Sequence, residues 1–111
     1  MPMLSLKCTK TIPEALRKEL SAAVAEGIGK PEQYVMVVAE EAGMTMSGEP
    51  GDAAYGEVRS IGGLERTVNR ELTKRICSLL SDRLGIPSDR IYITFTSFPA
   101  DHWGWNKSTF G

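Results

Sequence analysis

The chain has 111 residues, 41% of them hydrophobic and 24% charged. That length fits one domain able to bury roughly two-thirds of its surface, and the composition excludes a disordered chain. Thirteen basic against fourteen acidic residues leave a net charge of −1, which argues against nucleic acid or an anionic membrane as partner.

The first twelve residues hold an apolar run too short for a signal-peptide core. No stretch approaches 18 apolar residues, so no membrane span is expected. The expected location is therefore cytoplasmic, with Cys8 and Cys77 reduced. These two thiols and the single His102 are too few for a zinc site, and no metal is expected.

Met3 to Cys8 reads as the first strand. Thr11 and Glu14 fit a capping box with Pro13 in the first turn. Leu16, Leu20, Ala23, Val24 and Ile28 then keep helical spacing up to a stop at Gly29. Tyr34 to Ala39 is a nearly continuous apolar run, the pattern of a strand covered on both faces. Met44 and Met46 suggest one face of a short strand, before the turn-rich Ser47 to Asp52. Tyr55 to Ile61 reads as a strand, and Val68, Leu72, Ile76, Leu79, Leu80 and Leu84 as a second helix ending at Gly85. Arg66, Arg70 and Lys74 form a solvated stripe on it, and Glu71 and Arg75 are spaced for an ion pair. Ile91 to Phe95 is β-branched and aromatic, a strand, and an aromatic tail follows.

Shifted by 56 residues, the chain falls on itself. Leu16 meets Leu72, Leu20 meets Ile76, Val24 meets Leu80 and Ile28 meets Leu84. Gly29 meets Gly85, Pro31 meets Pro87, and Val35 and Val37 meet Ile91 and Ile93. Each unit is thus β-α-β, with its two strands parallel. The expected architecture is a single α/β (α+β) domain over residues 1–111. It has pseudo-repeats at about 1–46 and 53–100 and a tail at 101–111, forming one four-stranded mixed sheet with two helices on one face. Exposed edges and a second apolar sheet face favour association of copies.

Met1-Pro2-Met3, Gly29-Lys30-Pro31, Gln33-Tyr34 and Ser60-Ile61-Gly62 stand in this order along the chain. Leu84, Asp89-Arg90, Tyr92-Ile93, Gly104-Trp105-Asn106 and Ser108-Thr109-Phe110 follow. In these pieces and their spacing the chain resembles the macrophage migration inhibitory factor family of the tautomerase superfamily. The resemblance implies a homotrimer with active sites between subunits. It also implies cofactor-free isomerisation of enol and keto forms of phenylpyruvate- or dopachrome-like compounds. The implied partners are a small aromatic enol or keto acid and two further copies of the chain. Animal members signal outside the cell without a signal peptide. By that analogy, non-classical secretion would bring a protein receptor.

Removal of Met1 would turn Pro2 into a secondary amine able to take a proton. Such a base must be neutral at working pH. Lowering its pKa by about two units needs roughly 2.7 kcal/mol of differential interaction, from apolar burial and a nearby ammonium. The resemblance makes Pro2 the catalytic base and places Lys30 on the substrate carboxylate or carbonyl. It also assigns substrate binding to Ser60 and the backbone N–H of Ile61. Tyr92 would reach a neighbouring subunit's pocket, Tyr34 would stand at the wall, and Met3, Trp103, Trp105 and Phe110 would give an apolar lining.

Three departures stand out. Ala53-Ala54-Tyr55-Gly56 occupies the place of a Cys-x-x-Cys pair found in several animal members. Thr94 replaces a common asparagine deep in the pocket, and Trp103 replaces a small apolar residue at its mouth. These changes bear on substrate range more than on reaction type. His102 is expected on the surface without a catalytic role. Two other readings stay open. One is a cytokine-like interaction protein whose partner surface is separate from the pocket. The other is a different proton-transfer or decarboxylation chemistry on the same fold.

Overall fold

The computed structural model describes residues 1–111. Strand β1 (Pro2–Cys8) alternates strictly, with Pro2, Leu4, Leu6 and Cys8 buried under the helices. Helix α1 (Glu14–Ile28) returns the chain to strand β2 (Met36–Glu41), parallel to β1 with Met3 opposite Met36. Strand β3 (Ala54–Ser60), helix α2 (Arg66–Leu84) and strand β4 (Ile91–Ser97) repeat the plan. β1 and β3 join the units antiparallel, with Pro2 opposite Ser60, so the sheet order is β2-β1-β3-β4.

The core is a three-part contact. Leu4, Leu6 and Val58 come from the sheet, Leu16, Leu20 and Val24 from α1, and Leu72, Ile76 and Leu80 from α2. Each such side chain, fully buried, contributes about 1.5–3 kcal/mol. Both helices end as predicted, with left-handed glycines at positions 29 and 85. The internal symmetry extends beyond the helices. Pro31 and Pro87 each start a short 3-10 turn, Glu32–Tyr34 and Ser88–Arg90.

Five expectations change. The capping box does not form: Pro13 holds the N-cap position without a side-chain bond, and the Thr11 hydroxyl donates to the Glu41 carboxylate instead. Buried Ile12 draws this segment onto the core, leaving Thr11 outside the helix entrance. Tyr34 belongs to the 3-10 turn and not to β2, because its N–H closes back on the Pro31 carbonyl at 3.1 Å. Arg75 pairs across the helices with Glu26 at 2.7 Å rather than with Glu71, and Arg83 likewise meets Glu19. Met44 and Met46 make no strand face, since only Met46 bridges, to Glu49 across a turn. The sheet face away from the helices is also more polar than expected. Ser5, Lys7, Glu57, Arg59, Thr94 and Thr96 point there, among Met3, Met36, Val38, Tyr55 and Tyr92.

The tail carries a feature its composition did not announce. Strands β5 (Gly104–Trp105) and β6 (Ser108–Thr109) form a small hairpin through Asn106 and Lys107, both at positive φ. Two successive positive φ angles match the turn geometry that two-residue hairpins favour.

Candidate functional site

The amino end of β1 is where the separate sequence segments meet. The end of β3 lies beside it, and two backbone bonds from that strand end hold its neighbours. Ile61 N–H donates to the Met1 carbonyl at 3.3 Å, and Phe98 N–H donates to the Ser60 carbonyl at 2.8 Å. Lys30 arrives from the opposite side. Its position is fixed by the helix end, where the N–H groups of Gly29 and Lys30 both donate to the Ala25 carbonyl, at 2.9 and 3.0 Å. The Lys30 ammonium then reaches the Ile61 carbonyl at 3.4 Å.

Two adjoining clefts open at this point. One, of about 660 Å³, is lined by Pro2, Met3, Tyr34, Met36, Trp103 and Trp105 among others. The other, of about 440 Å³, is lined by Lys30, Ile61, Tyr34, Trp105 and Phe110 among others. Met1 borders both. Burial, and after it the Lys30 charge, hold the Met1 amine below the ordinary α-amino range. The hairpin supplies aromatic walls: Trp105 stacks on Phe110, with ring centroids 5.7 Å apart and planes 12° from parallel.

The structure thus brings Pro2, Met3, Lys30, Tyr34, Ile61, Trp103, Trp105 and Phe110 to one end of the sheet. Ser60 is there too, but it is fully buried and its hydroxyl donates to the Gly62 carbonyl at 2.7 Å, supporting the turn. Tyr92 and Thr94 stand elsewhere. Tyr92 is opposite Tyr55, which is opposite Lys7, so it lies about 16 Å along the strands from the Pro2 row. It is 66% exposed and lines a separate cavity of about 520 Å³ with Lys7, Met46, Tyr55 and Arg90 among others. The Thr94 hydroxyl shares a 3.2 Å hydrogen bond with the Tyr55 hydroxyl. Within one chain neither residue faces Pro2.

Three residues to which the sequence reading gave no role at the site stand out. Gln33 and Met36 line the Pro2 cleft, one residue before and two after Tyr34, which was the available signal. Arg90 fixes the loop beside Tyr92: its guanidinium donates to the carbonyls of Asp52 at 2.9 Å, Glu49 at 3.1 Å and Met46 at 3.5 Å. Nothing in the sequence marks a lone arginine as a loop clamp.

No three His, Cys, Asp or Glu side chains gather as a metal site would require. His102 is exposed, in a third 3-10 turn at Ala100–His102. Burial pushes both thiols above the ordinary range, against backbone N–H groups of Lys10 and Thr9 in the case of Cys8. Thiolate is the reactive form, and Cys8 is fully covered. Cys8 should therefore react with a thiol reagent at pH 7.5 more than about 100-fold slower than in urea-unfolded protein, because reaction requires opening of the sheet. Mass spectrometry of the modified peptides checks this. Equal rates in the two states would contradict it.

Two β-α-β units sharing one mixed sheet, with the first strand's amino end in a cleft between them and the tail, define the tautomerase fold. The family model for "Macrophage migration inhibitory factor (MIF)" matches residues 1–111, and the chain belongs to that family. It is 40% identical over 114 residues to macrophage migration inhibitory factor of Meriones unguiculatus, covering 99% of both chains. It is 42% identical over 101 residues to that of Rattus norvegicus, covering 90% of this chain and 88% of the relative. The crystal structure of a homologue from Prochlorococcus marinus superposes with a TM-score of 0.92 at 41% identity, covering 98% of this chain and 99% of the other. No helix is long and apolar enough to cross a membrane.

Proposed function

We propose that this chain, once Met1 is removed, is a cofactor-free keto–enol tautomerase for phenylpyruvate- or dopachrome-like compounds, with Pro2 as its general base. Three copies assemble so that Tyr92 and Thr94 of one complete the Pro2 cleft of the next. The observation that supports this most is the position of Met1. It acylates the Pro2 nitrogen, borders both clefts, and its carbonyl takes up the N–H of Ile61. One cleavage therefore frees a base and a hydrogen-bond donor on the same wall, beside the Lys30 ammonium.

The chemistry follows from those groups. Neutral Pro2 accepts a proton from the carbon next to the substrate carbonyl and returns it to oxygen, or runs the reverse path. Lys30 holds the carboxylate and carries part of the enolate charge as it develops. Such pre-placed charge acts strongly in a site shielded from water. The Ile61 N–H donates to a substrate oxygen.

The pH profile tests this arrangement. Protonated Pro2 is inactive, so activity rises with pH through its pKa. Burial, and after it Lys30, lower the pKa of the Met1 amine one residue away, and the same two influences should act on a freed Pro2 nitrogen. The acid limb of kcat/KM should lie below the ordinary α-amino range of about 7.7–8.0. Lys30→Gln removes the like charge, so the limb should move to higher pH, and kcat/KM at pH 7 should fall about 100-fold. The assay is phenylpyruvate enol conversion by protein whose mass shows Met1 absent. A monomer in sedimentation, or a limb unmoved by the substitution, would sink the reading.

A further inference from the structure

We infer that Trp103, braced by Phe98, is a specificity-determining wall that restricts the Pro2 cleft to one-ring enol and 2-oxo acids. This rests on the tautomerase reading and narrows its substrates from phenylpyruvate- or dopachrome-like compounds to the one-ring, phenylpyruvate-like ones, since dopachrome carries two fused rings.

The two clefts share Met1, Tyr34 and Trp105 but differ in the rest of their lining. Lys30, Ile61 and Phe110 belong to one, and Met3, Met36 and Trp103 to the other. Charge and backbone donor thus line one cleft, Pro2 and an apolar wall line the other, and Met1 is common to both. A substrate with its carboxylate toward Lys30 directs its ring toward Met3, Met36 and Trp103. The ring's size is read there, by shape, apart from the groups that hold its charge.

A wall discriminates by size only when it cannot swing away. Trp103 is held in three ways. Its ring meets Phe98 edge to face, with centroids 5.5 Å apart and planes at 88°. Its backbone N–H donates to the Ala100 carbonyl at 3.4 Å, and its backbone carbonyl accepts from the Phe110 backbone N–H at 3.2 Å. Phe98 is itself anchored, by its N–H, to the Ser60 carbonyl. The brace therefore ends on the same strand end that holds Met1, and wall and base keep a fixed separation. Trp105, by contrast, is 58% exposed and stacks on Phe110. Phe98 lines neither cleft and acts through Trp103, as a positioning residue.

The test compares kcat/KM for the enols of indole-3-pyruvate and phenylpyruvate. Trp103→Ala should raise the two-ring to one-ring ratio at least about tenfold, the scale on which apolar pockets sort substrates by size. Phe98→Leu should raise it part of the way, and Phe98→Tyr, which keeps the ring, should leave it at the wild-type value. A purely structural role for Phe98 would lower both rates together and leave the ratio unchanged. Trp103→Leu serves as the second variant if the alanine protein does not fold. In parallel, calorimetry gives the dissociation constants of the non-reacting acids indole-3-acetate and phenylacetate, whose ratio should move the same way. Wild-type protein inactive on both enols would overturn the tautomerase reading, while the binding ratio would still decide the role of Trp103. An active wild type whose ratios stay within twofold in every variant would overturn the wall.

Discussion

Pro2→Gly should lower kcat/KM for phenylpyruvate tautomerisation by about 10²–10⁴, the usual contribution of a positioned general base. Glycine at position 2 still allows removal of Met1 and still leaves a terminal amine at the start of β1. What it loses is the ring, and with it the secondary amine and the rigid backbone angle that fix the nitrogen's direction. The Pro2 ring is buried on the helix side of the sheet. Its loss leaves a small void at a strand end, without breaking the Leu4, Leu6 and Val58 contacts behind it. Circular dichroism and the sedimentation coefficient should therefore stay at wild-type values while turnover falls. A surface contact with another protein, distant from the cleft, should survive the same change. Activity within threefold of wild type would show that another group moves the proton.

The elements that sequence patterning revealed are those that bury a regular stripe. Leu16, Leu20 and Val24 on α1, and Leu72, Ile76 and Leu80 on α2, repeat at helical spacing because each faces the same sheet. The internal repeat added the strand order's logic, since two parallel β-α-β units can share a sheet by pairing their first strands. Residues that make their contacts at a distance left no such trace. Thr11 looks like a cap locally, yet its hydroxyl partner is 30 positions away on β2. Arg75 has Glu71 one helical turn away and Glu26 across the helix interface, and only the packed helices decide between them. The tail hairpin was hidden because Lys107 adopts a positive φ that lysine seldom takes. For the candidate site, Pro2, Lys30 and Ile61 were legible only through resemblance. No spacing rule brings residues 2, 30 and 61 together; two crossing connections do.

Gly63→Ala should destabilise the protein by about 2–5 kcal/mol and move the acid limb of the pH profile to higher pH. Gly63 sits two residues after Ile61 at φ +79°, where an L-residue costs about 1–2 kcal/mol. A Cβ there would also lie 2.7 Å from Ile28 Cγ2 and 3.4 Å from the Ile28 carbonyl oxygen, and overpacking of this kind costs about 1–3 kcal/mol. The same Cβ would lie 3.6 Å from Lys30 Cε. Relief of the clash pushes the end of α1 away from the end of β3, and Lys30 moves with it. The ammonium then no longer lowers the amine's pKa as strongly, which is the sign of the shift expected for Lys30→Gln. Gly62→Ala separates the two causes. Position 62 has φ +72° but nothing within 4 Å of a Cβ, so that change should cost only about 1–2 kcal/mol of backbone strain and leave the acid limb in place. Denaturant unfolding at fixed protein concentration measures the first difference, and kcat/KM against pH measures the second. Equal stability losses and equal profiles for the two variants would mean that Gly63 is needed for its turn alone, and that the approach of the two strand–helix units does not place Lys30.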